Sequence, residues 1–205
     1  MENFEKNIFI HCPFDNDYYP LLRPVLFTVL YHGHIPRIAT ESFDSGNLRI
    51  EKIKILINSS KYSIHDLSRI EAKKKGDIYR LNMPFELGLD FGCKCFSNPD
   101  NKQTEKRILI IEEKQYRYMR AISDINGFDI KFHENEPIKV VRAVRNWFVE
   151  AVGLIKESPT AIWDSFTELT LKLRPFPRPL STGEGVKIKR ERPRGDFTDD
   201  LVRLP

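Results

Sequence analysis

Short apolar runs alternate along the chain with segments whose apolar residues recur at helical spacing. A run of about four to eight apolar residues is typical of a buried strand, whereas recurrence every three to four positions is typical of a helix with one buried face. This pattern predicts strands over residues 7–11, 37–40, 62–66, 107–111 and 128–132. It predicts helices over residues 18–31, 48–57, 83–96, 116–122, 138–155 and 160–173.

The regular alternation of strands and helices indicates an α/β fold with helices on both faces of a parallel sheet. Five strands at this spacing favour a flavodoxin-like, doubly wound five-stranded parallel sheet with extra C-terminal helices. A different α/β strand order is the alternative that the pattern leaves open. We expect residues 1–174 to form this single α/β domain.

The composition changes at the C-terminal end. Residues 175–205 are rich in proline, glycine and mixed charge and show no apolar period, which predicts a flexible tail. The stretch VKIKRERPR within it offers positive charge to an acidic partner, although a solvated run of charge explains the same residues.

Composition and charge exclude several classes of protein. The chain has 205 residues, of which 40% are hydrophobic and 30% charged, as in a globular domain. A net charge of +4 is milder than that of a usual dedicated nucleic-acid surface, so we do not expect nucleic acid as a partner, and nucleic-acid binding through the basic tail is the weakest of the alternatives. No run of about 18 apolar residues predicts a membrane span, and the N-terminus lacks a signal-peptide pattern, so we expect a cytoplasmic protein without a membrane partner. Cys12, Cys93 and Cys95 lack zinc-site spacing, so we expect no metal.

Polar and aromatic side chains follow the first three predicted strands. Ligands of open α/β sheets bind beyond the carboxyl ends of the strands, so these side chains predict a pocket for a nucleotide or nucleoside. The candidate binding residues are His11, Cys12, Phe14, Thr40, Arg49, Asp66, Ser68 and Arg69. Ordinary structural roles explain some of them equally well: Asp66 as a turn cap, Ser68 and Arg69 as surface residues, and His11 as a satisfied histidine at a strand end.

Glu86 is the candidate catalytic residue, because it lies near the start of a helix that follows the third strand. An acid there also favours the helix dipole by about 0.3–1 kcal/mol. Asn82 is a candidate N-cap for this helix, and Pro84 suits a first turn.

The spacing of two glycines shifts the balance towards function. Gly88 and Gly92 lie four residues apart, which predicts that this face of the helix approaches the sheet closely. Phe85, Leu89 and Phe96 are expected to fill the remaining contact. Glu86 would then be held on a tightly packed element at the strand-end edge, as a functional group requires.

Three stretches of the sequence carry a family resemblance. NIFIHCPFDNDYY resembles the first-strand motif of Toll/interleukin-1 receptor (TIR) domains. YSIHDLSR followed by NMPFELGLDFG resembles both bacterial TIR-like proteins and the nucleoside 2-deoxyribosyltransferase-like families, in which a strand-end polar cluster precedes a helix that bears a glutamate. Glu86-Leu87-Gly88 occupies that position, and the resemblance covers roughly residues 7–133.

This resemblance implies chemistry at an N-glycosidic bond, with NAD or a nucleoside as substrate and without a cofactor. A carboxylate beneath C1′ stabilises the oxocarbenium-like charge or attacks it. Because nicotinamide leaves NAD⁺ as a neutral base, one glutamate suffices. Bacterial TIR-like enzymes often serve antiviral defence, and control of such an enzyme implies self-association or a regulatory partner. The alternative is a non-catalytic TIR-like module for self-association or nucleotide sensing.

Overall fold

A computed structural model describes residues 3–41, 46, 48–71, 81–153 and 157–173. At its centre is a sheet of five strands, all of them parallel to their neighbours. The strands are β1 (Asn7–His11), β2 (Ile35–Ile38), β3 (Tyr62–Asp66), β4 (Arg107–Glu112) and β5 (Lys131–Phe132). The predicted tail, residues 175–205, lies outside the described residues.

The strands follow the order β2-β1-β3-β4-β5. This order is that of a flavodoxin-like, doubly wound fold, so the predicted fold class is confirmed and the alternative strand order is excluded. In the register of the sheet, His11 at the end of β1 pairs with His65 of β3. Asp66 pairs with Ile111 of β4. The carboxyl ends of the central strands therefore meet at one edge.

Five α-helices connect and flank the strands within the described residues. They are α1 (Tyr19–Tyr31), α2 (Arg49–Asn58), α3 (Asn82–Phe96), α4 (Pro137–Trp147) and α5 (Pro159–Lys172). Short 3-10 turns cover Lys102–Glu105, Arg117–Arg120 and Ser123–Ile125, and a π-helical turn over Phe148–Val152 follows α4.

The alternation of side chains along β1 divides the core between the two faces of the sheet. Ile8 and Ile10 pack with apolar residues of α1 and α4, whereas Phe9 packs with those of α2. α5 adds a further layer over α1 and α4, where the Phe166 and Phe27 rings lie 5.5 Å apart. α3 covers the other face through Met83 and Leu87, which join a cluster with residues of β4 and the segments before β5.

Several predicted boundaries were wrong by a few residues. β2 begins at Ile35 rather than at residue 37, because it is an edge strand, where Pro36 is tolerated. β5 contains only Lys131–Phe132, since backbone hydrogen bonds of residues 128 and 130 close turns instead of pairing with β4. The predicted helix over residues 116–122 is a 3-10 turn, and the helix predicted to reach residue 155 leaves α-helical geometry after Trp147.

The predicted orientation of α3 was also wrong. Gly88 is exposed, with open space where a Cβ would lie, and a Cβ at Gly92 would meet only the ring of Phe96. Phe85 and Phe96 are exposed instead of filling the contact with the sheet. The inner face of α3 carries Met83, Glu86, Leu87 and Asp90. The Glu86 and Asp90 carboxylates of the helix face inwards because basic side chains lie opposite them.

Two features of the described residues concern membranes and metals. None of the described helices is both long and apolar enough to cross a membrane. No group of three or more His, Cys, Asp or Glu side chains among these residues is arranged to hold a metal ion.

Candidate functional site

Glu86 lies over the carboxyl end of β1, where α3 brings it against the last residue of that strand. Its Oε2 atom is 2.7 Å from Nε2 of His11, and its Oε1 atom is 3.6 Å from Nη2 of Arg49. Glu86 and His11 are buried, whereas the Arg49 side chain is 56% exposed. The carboxylate is therefore enclosed on the sheet side. On the solvent side it borders the long, cationic side chain of Arg49.

The helix-dipole role considered for Glu86 does not fit this geometry. α3 begins at Asn82, so Glu86 is its fifth residue, and the first turn of the helix contains no acid. Asn82 is not the N-cap either: Leu81 holds that position without a side-chain capping bond. Side-chain contacts with His11 and Arg49, rather than backbone amides, define the environment of the Glu86 carboxylate.

His11 is a neutral partner for this carboxylate at pH 7. Burial lowers the pKa of His11 below its ordinary value of 6.5, and the adjacent Glu86 carboxylate offsets this effect only in part. His65, whose ring meets that of His11 edge-on at 5.7 Å, lowers it further. A neutral imidazole leaves any negative charge on Glu86 uncompensated from this side.

A second buried acid extends the polar layer along α3. Asp90 Oδ2 lies 2.9 Å from His65 Nε2, and Asp90 Oδ1 lies 3.0 Å from Lys106 Nζ. Lys106 also donates to the carbonyls of Ile57 and Ser60, at 2.8 and 2.5 Å. Burial alone would raise the pKa of Asp90, but His65 and Lys106 outweigh it and hold this pKa at about 2.

Asp66 belongs to a separate polar group on the opposite face of the sheet. Its side chain accepts hydrogen bonds from the Tyr18 hydroxyl and from the Ser68 backbone amide, the latter at 2.7 Å. His133 Nε2 lies 3.1 Å from Asp66 Oδ2 and 2.9 Å from Ser68 Oγ. The residues predicted for one pocket thus fall into two groups, because side chains of adjacent strand residues point to opposite faces.

The contacts of His133 argue against a nucleophilic serine in this second group. The backbone amide of Asn135 donates to His133 Nδ1 at 3.1 Å, so that nitrogen is the unprotonated one. Nε2 then carries the proton and faces both Asp66 and Ser68. A general base for Ser68 needs a free lone pair at Nε2, so this group serves to fix the ends of β3 and β5.

Four other predicted binding residues take different positions. Cys12 is buried in the core against α1, and burial raises the pKa of its thiol. Phe14 packs against the edge of the same cluster. Thr40 is exposed in the turn after β2. Arg69 forms an ion pair with Asp15 at 3.0 Å. Of the predicted binding residues, His11 and Arg49 are the two that contact Glu86 in the described part of the chain.

Sequence reasoning missed His65, Asp90, Lys106, His133 and Tyr18. One signal was available: Asp90 lies four residues after Glu86, hence on the same helix face. No local signal pointed to His133 or Lys106, because their partners lie 67 and about 16 residues away along the chain. Such pairs become visible only once the strands are ordered.

Comparison of the chain with family models, with curated proteins and with solved structures finds no match in any of the three. The geometry of the Glu86 site is therefore the basis on which a function can be inferred.

Proposed function

We propose that the protein cleaves or transfers at the N-glycosidic bond of NAD or of a nucleoside or nucleotide, with Glu86 as the catalytic carboxylate. The observation that carries this proposal is the position of Glu86, a buried acid at the carboxyl end of β1 between neutral His11 and the exposed cation Arg49. That edge is where ligands of doubly wound sheets bind. A role in bacterial antiviral defence would follow from the TIR-like resemblance of the motifs around it.

The chemistry of the bond suits a single buried carboxylate. When the C1′–N bond of NAD⁺ breaks, its electron pair leaves on the nicotinamide nitrogen, and positive charge develops on the ribose. A carboxylate in a site of low dielectric constant stabilises that charge strongly. Water or another hydroxyl then adds to C1′ and loses a proton. His11 restrains the carboxylate, because its ring is itself fixed against Phe9 and His65.

Arg49 has a separate task in this proposal. Its side chain is more than half exposed and 3.6 Å from Glu86, so it can turn towards a phosphate without disturbing the core. A guanidinium binds phosphate oxygens in a bidentate manner. Binding of a phosphorylated substrate would thereby draw the cation away from Glu86 and leave its carboxylate for the developing ribosyl charge.

The test is base release from NAD⁺ and from a panel of nucleosides by purified wild type and by Glu86→Gln. The nearly isosteric change removes the charge, and loss of one preorganised electrostatic group commonly lowers the rate by roughly 10²–10³. Glu112→Gln is the matched control, since Glu112 is also a buried acid at a strand end. We expect Glu112→Gln to keep the wild-type rate per folded molecule. A Glu86→Gln protein that turns over like wild type would exclude the catalytic role.

A second candidate is the non-catalytic TIR-like module for nucleotide sensing or self-association. It is favoured by the low exposure of the Glu86 side chain, 5%, and by the positions of His11 and Arg49, each within 4 Å of one of its oxygens. Calorimetric titration with NAD⁺ separates the two candidates. Binding without any base release, in a wild-type protein assayed over a range of concentrations, would favour the sensing module.

A further inference from the structure

Lys106 is a lysine that lies entirely inside the protein. Its side chain is 0% exposed, although a lysine is almost never fully buried unless it is paired. Its Nζ atom donates to the carbonyl oxygens of Ile57 and Ser60, at 2.8 and 2.5 Å. Oδ1 of Asp90 lies 3.0 Å from the same atom. An ammonium group has three N–H donors and no acceptor, so these surrounding oxygens suit the charged form of Lys106.

Lys106 belongs to one of two similar units on the inner face of α3. In each unit, a carboxylate of α3 lies between a histidine of the sheet and a basic side chain. The buried unit consists of His65, Asp90 and Lys106. The open unit consists of His11, Glu86 and Arg49. The two units differ at the cation, because Lys106 is fully buried whereas Arg49 is 56% exposed. Lys106 therefore stays with its carboxylate, whereas Arg49 can turn away from Glu86 into solvent.

His11 and His65 connect the two units. They are partners in the register of β1 and β3, and their rings meet edge-on at 5.7 Å. In the described part of the chain, the charged side chains around this pair are Glu86 and Asp90 from α3, Arg49 from α2, and Lys106 just before β4. Two imidazolium rings this close would repel each other in a buried layer, so a proton on one ring makes a second proton harder to add. The pair therefore titrates as one unit.

The charge of Lys106 decides whether this pair has to carry a proton. Asp90 is ionised, with a pKa of about 2, and Lys106 compensates its negative charge. Without Lys106, the Asp90 carboxylate would be a buried charge next to the ring of His65, at 2.9 Å. Proton uptake by the histidine pair would then compensate it, because an unpaired ion in the interior is far less favourable. Cys93, another titratable neighbour of Asp90, is a thiol whose pKa is raised by burial, so it supplies no positive charge.

We propose that Lys106 is a positioning residue for the Glu86 site: its charge compensates Asp90 and thereby keeps the His11–His65 pair neutral beside Glu86. The positive charge of the buried unit is then held at Asp90, about one turn of α3 away from Glu86. A proton on the pair would instead place an imidazolium charge near the Glu86 carboxylate, where it opposes the positive charge that develops on the ribose. This consequence for catalysis rests on the proposed function, whereas the charge of the histidine pair does not.

An NMR titration of the histidine rings between about pH 5 and 9 tests the charge of the pair. It compares wild type, Lys106→Met and the double variant Lys106→Met/Asp90→Asn, with signals assigned through His11→Gln and His65→Gln. We expect Lys106→Met to raise the pH at which the pair takes up its first proton by about 1–2 units, because Asp90 then lacks its cation. The double variant carries neither charge, so we expect it to titrate like wild type.

The double variant also separates charge from packing. Both altered proteins lose the contacts of Lys106 with the two carbonyl oxygens, so the difference between them reports the charge of Asp90. Lys54→Met is the matched control for the substitution itself. The Lys54–Glu51 ion pair has the same length, 3.0 Å, but the Lys54 side chain is 58% exposed. This control is therefore expected to leave the titration of the pair unchanged.

Base release from NAD⁺, measured over the same pH range, tests the consequence for Glu86. In Lys106→Met, kcat is expected to fall by about tenfold or more below the new titration midpoint, because one preorganised electrostatic group has effects of this order or larger. KM should change little, since Arg49 is untouched. The rate should recover above the midpoint and in the double variant. If no protein releases base while the NMR shift is present, the proposed function fails and the relation between Lys106 and the histidine pair stands.

The folding of the variants is part of the test. If Lys106→Met is unfolded at about pH 8, the proposal requires it to fold near pH 6, where proton uptake by the pair stabilises the folded state. Failure of both the single and the double variant to fold, seen by circular dichroism, would overturn the proposal, because Lys106 would then be needed for its carbonyl contacts. A Lys106→Met pair that titrates like wild type would overturn it as well. So would a double variant that stays shifted like the single one, because packing rather than charge would cause the shift.

Discussion

At the scale of single residues, His11 is a buried histidine whose charge state depends on its surroundings. Its pKa is lowered by burial, so the unfolded chain takes up a proton near pH 6.5 that the folded protein does not. The unfolded state then binds more protons, and the free energy of unfolding falls as the pH drops below 6.5. Stability should be lost progressively until the folded-state pKa is reached.

Urea unfolding of wild type and His11→Gln between pH 5 and 8 measures this effect. The variant should show a shallower decline, by at most about 1.4 kcal/mol per pH unit for one proton. The other four histidines are present in both proteins, so their contributions cancel to a first approximation. Parallel pH profiles for the two proteins would mean that His11 titrates normally.

Burial also separates two ion pairs that have the same length. Asp90–Lys106 and Glu51–Lys54 both measure 3.0 Å, but the first is fully buried and the second more than half exposed. Asp90→Ala leaves the Lys106 ammonium without its carboxylate in the core, which costs about 3–5 kcal/mol. Glu51→Ala removes a solvated pair and should cost at most about 1 kcal/mol. Equal losses in the free energy of unfolding would contradict the burial argument.

At the scale of helices, two glycines should respond in opposite ways to the same substitution. Gly33, which ends α1, has φ +76°, a conformation that costs an L-residue about 1–2 kcal/mol. Gly88 has helical geometry and free space, so alanine should stabilise the protein by about 1 kcal/mol. Chemical denaturation of Gly33→Ala and Gly88→Ala checks both signs. A destabilised Gly88→Ala protein would show that the helix needs glycine at this position.

The central strands were predictable from the sequence, whereas the orientation of α3 was not. Residues 7–11 and 62–66 read as buried strands because their side chains are enclosed on both faces. The apolar residues Phe85 and Phe96 suggested the wrong inner face for α3. Glu86 and Asp90 prefer that face only because His11, His65 and Lys106 lie opposite them. Those partners come from distant parts of the chain, and no helical period reveals them.

At the scale of the whole molecule, the sheet keeps the two polar groups apart. The Glu86 group lies on the side of α2 and α3, and the Asp66 group lies on the side of α1, next to Tyr18. α1, α4 and α5 form the thicker layer, since α5 packs on the other two. The side with α2 and α3 therefore carries the candidate catalytic residue together with the exposed Phe85, Phe91 and Phe96.

The C-terminal segment lies outside the described residues, and its contribution to stability can be tested directly. Because residues 176–205 lack an apolar period, their deletion is expected to leave Tm nearly unchanged. Thermal melting of the shortened and full-length chains gives the comparison. A drop of several degrees would mean that this segment buries apolar surface against the domain.

The inward carboxylates of α3 have a consequence for how the protein folds. When α3 docks, Glu86 and Asp90 lose their hydration, and in the described part of the chain β1, β3, the first residue of α2 and the residue before β4 supply compensating partners. Docking is favourable only after those strands have paired, so contacts of α3 should be weak in the folding transition state. Interactions formed that late act mainly on the unfolding rate. The inward-facing carboxylates of α3 thus lengthen the lifetime of the native state and leave the rate of folding little changed.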